Sequence, residues 1–222
     1  MSGRRILLAG ATGMIGSAVL ECALADARIG EVIVLTRKPL GFSHAKLEER
    51  CSLGADLLTA LRPEPVDAVI CCLGTTIRNV GGDQRKFMHV DKDLVVGLAR
   101  WAKAQAVGTL AIVSAIGADA DSRIFYNRTK GEMEREVIAF GIPATHLFQP
   151  SILTGPRKEV RTGERIGITV TKLIAPLMIG SLRKYRPMPH DVLAQALINV
   201  AIIGMAGVHR HTYDDILKLA LR

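Results

Sequence analysis

The sequence Gly10-Ala11-Thr12-Gly13-Met14-Ile15-Gly16 decides the fold of this chain. It follows the short apolar run Ile6 to Ala9, which predicts a strand. It leads into the segment Ile15 to Ala25, whose apolar residues recur at helical spacing. A strand, a glycine-rich turn and a helix in this order predict the opening of a βαβ unit.

In such a turn, each of the three glycines is required for a different structural reason. Gly10 permits a tight exit from the strand, Gly13 removes a side chain where a diphosphate approaches the backbone, and Gly16 lets helix and strand pack closely. Backbone N–H groups at the helix start and the helix dipole hold the phosphates. The turn therefore predicts a dinucleotide site, and the alternative is a tight turn without ligand. The other predicted contacts of this turn are Thr12, Met14 and Ile15.

Continuous apolar runs later in the chain predict further strands. Because these runs do not alternate with polar residues, they indicate a parallel sheet covered on both faces. The predicted fold is therefore α/β, a Rossmann-type doubly wound parallel sheet. The predicted strands are Val32 to Thr36, Val66 to Cys72, Thr109 to Ser114, Ala144 to Phe148 and His209 to Tyr213, with a further strand and helix expected within 44–62. The later predicted helices are Asp91 to Ala106, Asn127 to Phe140, Val192 to Ile203 and Asp214 to Leu221.

We expect a single domain over residues 1–222, because this length is ordinary for one α/β core. Its parts are a dinucleotide-binding core at 4–157, a small substrate-side segment at 158–190, and closing helices and a strand at 191–222. Ile166 to Arg186 is both apolar and basic. We expect it to cover an apolar or anionic small-molecule substrate, although a homodimer contact or plain packing explains it equally well.

Charge and composition argue against several other functions. The net charge of +8 is spread along the chain, which is typical of a solvated surface rather than a nucleic-acid site. The four cysteines lack Cys-x-x-Cys spacing, so we expect buried thiols and no metal site. The apolar stretch Ile166 to Gly180 contains Lys172 and Pro176 and is shorter than the ~20 residues of a transmembrane helix. Because no cleavable signal segment is recognisable, we expect a cytoplasmic protein.

The residues after the second predicted strand indicate which dinucleotide is bound. An NAD-specific site normally offers an acidic residue there to the ribose hydroxyls, whereas this chain has Thr36-Arg37-Lys38. A guanidinium attracts a phosphate that a carboxylate would repel. We therefore expect NADP rather than NAD, with Arg37 as the main contact and Lys38 beside it. The alternative is a solvated surface arginine.

A possible catalytic group follows the fourth apolar run. Ser114 closes that run, and twelve residues later comes the spacing Tyr126-x-x-x-Lys130. On a helix this spacing places phenol and ammonium on one face. The positive charge should lower the pKa of Tyr126, which makes it a candidate proton donor or acceptor near neutral pH. Ser114 would then orient the substrate oxygen, although a chance surface pair has the same spacing.

The most distinctive run in the chain is Cys71-Cys72-Leu73-Gly74-Thr75-Thr76. With it, most of residues 6–157 resembles the Tat-interacting-protein oxidoreductases, a family of atypical short-chain dehydrogenases with small bacterial members. The other matching runs are Gly10 to Gly16, Val90-Asp91, Val113 to Asp119, Phe125-Tyr126 with Lys130-Gly131-Glu132, and Gln149 to Arg157.

The resemblance implies a Rossmann fold that binds NADP, with Lys130 contacting the nicotinamide ribose. Cofactor contacts that it implies directly after the predicted strand Val66 to Cys72 are Leu73, Gly74 and Thr75. Those that it implies near the nicotinamide are the backbone groups of Pro150, Ser151 and Ile152. Two features depart from the pattern of short-chain dehydrogenases. The asparagine that many of them use from the preceding helix is missing, since that region reads His89-Val90-Asp91, and the usual arginine of an Arg-Pro pair is Gln149 here.

The sequence therefore predicts an NADP(H)-dependent oxidoreductase that acts on a carbonyl or alcohol. The two departures favour an alternative, a weakly catalytic NADP(H)-binding redox sensor or partner-binding regulator. An isomerase or epimerase of nucleotide sugars is a third hypothesis, less favoured because the chain is short for the substrate domain of those enzymes.

Overall fold

A computed structural model describes residues 3–52, 54, 56–155 and 178–222. Its strands are β1 (Arg4–Ala9), β2 (Ile29–Thr36), β3 (Leu47–Cys51), β4 (Ala68–Cys71), β5 (Thr109–Val113), β6 (Ala144–Phe148), β7 (Leu153–Thr154), β8 (Met188–Pro189) and β9 (Gly207–His211). Its α-helices are α1 (Met14–Ala25), α2 (Gln84–Met88), α3 (Leu94–Ala104), α4 (Phe125–Ala139), α5 (His190–Ile203) and α6 (Tyr213–Ala220).

Seven of the described strands form one parallel sheet in the order β3-β2-β1-β4-β5-β6-β9. The strands β7 and β8 pair separately, also in parallel. The chain runs outward from β1 to β3 and then restarts at β4 in the opposite direction. The carboxyl ends of β1 and β4 therefore flank the switch point at which doubly wound sheets bind ligands. The predicted Rossmann-type fold is confirmed.

Helices cover both faces of the sheet, as continuous apolar strands require. Ile6 and Leu8 of β1 point into a core shared with α1, α5 and α6. Their neighbours Leu7 and Ala9 point into the opposite core, which is shared with α3 and α4. All four side chains are at most 1% exposed, so β1 is buried in the middle of the molecule.

Three elements differ from the sequence-based expectation. Among the described residues of 44–62, β3 is followed by a single 3₁₀ turn, Leu57–Ala60, in place of the expected helix. The helix expected at Asp91 begins earlier, because the Asp83 carboxylate accepts hydrogen bonds from the amides that start α2. A π-helical turn, His89–Asp93, then joins α2 to α3. The last strand ends at His211, because Thr212 caps α6 through a capping box.

The structure tests the other expectations only where residues are described. Residues 158–177 of the predicted substrate-side segment 158–190 lie outside the described residues, and so does most of the stretch Ile166 to Arg186. Cys71 is buried as expected, but Cys51 is exposed, which corrects the expectation of uniformly buried thiols. No helix within the described ranges is long and apolar enough to cross a membrane.

Candidate functional site

Two glycines of the turn after β1 are required by the fold itself. Gly10 has a φ of +91°, and a Cβ there would lie 2.6 Å from the carbonyl carbon of Cys72. A Cβ at Gly16 would overlap the carbonyl oxygen of Gly10. Backbone contacts between β1, α1 and the residue after β4 therefore exclude side chains at both positions.

Gly13 differs from these two glycines, because the fold itself does not require it. Its φ of −80° and ψ of 169° suit any residue. The nearest heavy atom to a Cβ built there is the Gly10 carbonyl oxygen, at 3.4 Å, an ordinary contact. The missing side chain leaves open space directly in front of α1, as expected where a diphosphate approaches the backbone.

The amino terminus of α1 is available to an anion. No side chain caps it, and its first turn has no acidic residue. The first-turn amides of Met14, Ile15 and Gly16 have no intrahelical acceptor, and the adjoining Thr12 and Gly13 are exposed. Free N–H groups and the positive end of the helix dipole point into the space beside Gly13. The residues of this turn therefore fit a diphosphate.

Arg37 and Lys38 follow β2, the strand next to β1, and both are exposed. The turn that presents them is fixed by buried Thr36, whose Oγ1 donates to the Lys38 carbonyl oxygen at 2.6 Å. The Lys38 amide donates back to the same hydroxyl at 3.2 Å. The two cations therefore lie at the same sheet edge as the glycine turn, one strand away.

A buried ion pair lies at the carboxyl ends of the central strands. Lys130 Nζ of α4 is 2.8 Å from Asp91 Oδ1 in the π-helical turn, and both side chains are at most 4% exposed. The other oxygen, Asp91 Oδ2, accepts the Thr75 amide at 2.8 Å. The sequence interpretation noted Asp91 only as a departure from the usual asparagine and missed this pairing. The only sequence feature that could have indicated this ion pair is the carboxylate of Asp91 itself.

Tyr126 is in the first turn of α4, one helical turn before Lys130. Its ring packs on Phe87 of α2, with the ring centroids 5.7 Å apart, and 41% of the residue is exposed. Partial burial raises the pKa of the phenol and Asp91 raises it further, while Lys130 lowers it, so that the net pKa lies above the ordinary value. The prediction that Lys130 leaves Tyr126 with a lowered pKa is wrong.

Lys130 nevertheless stays charged. Burial lowers the pKa of its ammonium, but Asp91 and Tyr126 raise it by more, and the net pKa lies above the ordinary value. Helix α4 lies close to the loop at Asp119, since a Cβ at Gly131 would overlap the backbone of Asp119. This close packing fixes the position of the neighbouring Lys130.

Ser114 follows β5 at the same sheet edge, but its hydroxyl hydrogen is already engaged. Ser114 Oγ donates to Glu134 Oε1 at 2.5 Å, inside the protein. Gln149 Nε2 donates to the same oxygen at 2.8 Å, and Arg210 Nε of β9 donates to Oε2 at 3.1 Å. Glu134 is 2% exposed. The sequence did not indicate this buried carboxylate, which accepts the hydroxyl hydrogen of the predicted catalytic residue Ser114.

The other predicted cofactor contacts lie at the same edge. Leu73, Gly74 and Thr75 follow β4, and Pro150, Ser151 and Ile152 follow β6. The Ile116 amide donates to the Pro150 carbonyl oxygen at 3.0 Å, and Ser151 Oγ donates to the Arg186 carbonyl oxygen. Across the sheet, the predicted site residues therefore follow β2, β1, β4, β5 and β6 in spatial order.

A doubly wound sheet with this glycine turn defines a Rossmann-type nucleotide-binding protein. The sequence matches the NAD(P)H-binding family over residues 10–167. The chain belongs to this family.

Curated relatives cover nearly the whole chain. One is "Protein FMP52, mitochondrial" of Eremothecium gossypii, 31% identical over 198 residues, which are 88% of this chain and 88% of that protein. Another is "Protein fmp52, mitochondrial" of Aspergillus niger, 29% identical over 210 residues, which are 91% of this chain and 88% of that protein.

Solved structures with the same fold are more distant in sequence. UDP-N-acetylglucosamine 4-epimerase from Methanobrevibacter ruminantium, in complex with UDP-N-acetylmuramic acid, matches with a TM-score of 0.69 and 15% identity, over 96% of this chain and 77% of that chain. MoeE5 in complex with UDP-glucose and NAD matches with a TM-score of 0.67 and 16% identity, over 97% and 80%. At such identities the likeness shows the fold alone.

The names of the relatives correct the expected location. Proteins that are about 30% identical over most of the chain are named as mitochondrial. The prediction of a cytoplasmic protein, which depended on the absence of a recognisable signal segment, is therefore wrong.

Proposed function

We propose that the chain is an NADP(H)-dependent oxidoreductase of the atypical short-chain dehydrogenase type, similar to the Tat-interacting-protein oxidoreductases, and that it acts on a carbonyl or alcohol. One observation carries the proposal. The anion-binding turn after β1 and the Tyr126–Lys130–Asp91 group lie at the carboxyl ends of one sheet, where a bound dinucleotide would extend from one to the other.

The residues present fit the cofactor in charge and space. The amides around Gly13 would hold the diphosphate, and Arg37 with Lys38 would hold the 2′-phosphate that distinguishes NADP from NAD. Leu73 to Thr75 would line the cofactor after β4, and Pro150 to Ile152 would meet its nicotinamide side. MoeE5 is described with NAD, but in this chain the residue after β2 is a cation rather than the acidic residue typical of NAD sites.

Tyr126 is the proposed general acid and base. Its side chain is partly exposed, and the charge of the buried Lys130 ammonium, one helical turn away, acts on its phenol, so Tyr126 can exchange a proton with a substrate oxygen. When bound, the reduced nicotinamide supplies hydride. Ser114 gives its hydrogen to Glu134 and retains only lone pairs, so it can accept a hydrogen bond from a hydroxyl substrate.

Exposed apolar side chains adjoin two parts of the proposed site in sequence. Ile124 and Ile152, at 62% and 45% exposure, adjoin the proposed catalytic residue and the proposed nicotinamide segment. Apolar side chains at these positions would favour a substrate with an apolar body.

A carbonyl panel tests the proposal. We expect purified protein to oxidise NADPH with at least one apolar aldehyde or ketone, and we expect Tyr126→Phe to lose that activity by a factor of about 10² or more. Tyr213→Phe, a half-buried tyrosine of α6, is the matched control and should retain it. Equal rates for Tyr126→Phe and wild-type protein would refute Tyr126 as the proton donor.

The second candidate is a nucleotide-dependent regulator. The observation that favours it is the engagement of Ser114 by Glu134, which removes one hydrogen-bond donor from the catalytic group. This function predicts NADPH binding without turnover on any carbonyl, together with a partner whose affinity changes when the nucleotide binds. Turnover that depends on Tyr126 would exclude it as the main role.

A further inference from the structure

The ion pair between Asp91 and Lys130 is built more firmly than a surface pair. Its atoms are 2.8 Å apart and shielded from water. The carboxylate is held from a second side by the Thr75 amide and is carried by a π-helical turn, a geometry often found at functional sites. A Cβ at Gly74 would be 3.4 Å from Asp91 Oδ1, so the residues after β4 pack closely on it.

The charges around Tyr126 come from three elements. Asp91 belongs to the π-helical turn, while Tyr126 and Lys130 belong to α4. Cys71 ends β4, and burial raises the pKa of its thiol to about 11, so it is neutral near pH 7. Glu134, one turn beyond Lys130, accepts hydrogen bonds from other side chains, namely those of Ser114, Gln149 and Arg210. The net charge beside the phenol is therefore that of Asp91 plus Lys130, close to zero.

We propose that Asp91 is a positioning residue that clamps Lys130 and neutralises its charge, so that Tyr126 stays protonated and the centre is set to donate a proton to a carbonyl. This inference rests on the proposed oxidoreductase function. In the step itself, a carbonyl would be reduced with hydride from bound NADPH, which would leave as NADP⁺, while the proton of Tyr126 Oη would pass to the carbonyl oxygen and solvent would return a proton to the tyrosinate.

An unopposed ammonium would have the reverse effect. Without Asp91, the Lys130 charge would favour the phenolate, the form that withdraws a proton from an alcohol. Asp91 should therefore extend carbonyl reduction to higher pH and restrict alcohol oxidation to alkaline pH. In the structure, burial is the largest cause of the raised pKa of the Tyr126 phenol, and Asp91 also raises it, against the lowering by Lys130.

Direct titration of the tyrosines tests the inference without relying on activity. The chain has three tyrosines, so protein labelled with ¹³C at the ring Cζ gives three signals, and Tyr126→Phe assigns one of them. In wild-type protein we expect Tyr126 to ionise above pH 10. In Asp91→Asn, whose amide oxygen can still accept the Thr75 amide, we expect its ionisation constant to rise about tenfold or more.

A second variant keeps the test decisive if the first folds poorly. In Lys130→Met the phenol should ionise at higher pH than in wild-type protein. In the double variant Asp91→Asn/Lys130→Met the phenol should ionise at lower pH than in Lys130→Met, because the Asp91 charge also raises the phenol pKa directly. A purely structural Asp91 would lower the melting temperature and leave the Tyr126 titration unchanged, which would overturn the proposal.

The pH dependence of activity separates this inference from the proposed function. If wild-type protein reduces no carbonyl but the titrations shift as expected, the function fails and the clamp stands. If reduction is observed and the alkaline limit of its pH profile is unchanged in Asp91→Asn, the clamp fails and the function stands.

Discussion

Replacing Gly13 with alanine separates binding from folding at the glycine turn. The new methyl group would have one neighbour within 4 Å, the Gly10 carbonyl oxygen at 3.4 Å, in a backbone conformation open to any residue. Because Gly13 is the N-cap of α1, where alanine is less favourable than glycine, the free energy of unfolding should fall by only about 1 kcal/mol. The same methyl group extends into the space that we assign to the diphosphate.

The expected loss of affinity follows from steric crowding. Forcing one extra methyl group into a filled contact costs about 1–3 kcal/mol, which corresponds to a Kd for NADPH about 5-fold to 150-fold higher. Gly16→Ala should show the opposite pattern and lose stability first, because its Cβ would overlap backbone within the fold.

NADPH fluorescence titration and urea unfolding, run on the same preparations, measure both effects. Gly108→Ala is the control, since its Cβ would lie at an ordinary 3.7 Å from the Asp67 carbonyl oxygen, at the opposite edge of the sheet. If Gly13→Ala binds NADPH as tightly as wild-type protein, the diphosphate does not approach this backbone and the assignment is refuted.

Two further predictions concern the cofactor and the acid limit of stability. Arg37→Ala should weaken NADPH binding about tenfold or more and leave NADH binding nearly unchanged, because only NADPH carries the 2′-phosphate. Equal losses of affinity for both nucleotides would contradict this assignment, as would the same loss in the control variant of an exposed arginine, Arg100→Ala. Stability should also fall by about 2 kcal/mol per imidazole between pH 7 and 5, because burial lowers the pKa of both His146 and His211 to about 4. In the unfolded chain these imidazoles become protonated near pH 6.5, whereas in the folded protein they stay neutral down to lower pH. A free energy of unfolding in urea that does not change between pH 7 and 5 would contradict the assignment of buried, neutral rings.

The fold was predictable because its signals are local. Uninterrupted apolar runs identify strands that are buried on both faces, and a glycine turn between strand and helix identifies the first βαβ unit. The segment 44–62 lacks such a signal, since its one strand carries Glu48, Glu49 and Arg50. These charges pair within the protein, as when Arg50 Nε donates to Glu48 at 2.7 Å, and a sequence pattern does not reveal such pairing.

The candidate site was predictable in its position but not in its electrostatics. Strand ends of a parallel sheet meet at one edge, so Ser114 and Tyr126 could be assigned to that edge from the sequence. The partners that change their chemistry come from distant elements, namely Asp91 for Lys130 and Glu134 for Ser114. The predicted pKa shift of Tyr126 had the wrong sign because burial of the phenol, which a sequence does not reveal, outweighs the effect of the Lys130 charge.

Calorimetric titration of wild-type protein with NADPH and with NADH, at low salt, measures whether the glycine turn holds a dinucleotide. We expect saturable binding of one NADPH per chain and weaker binding of NADH. Protein that is folded by circular dichroism and yet binds neither nucleotide would contradict the account at its foundation, because the assigned turn would then hold no diphosphate.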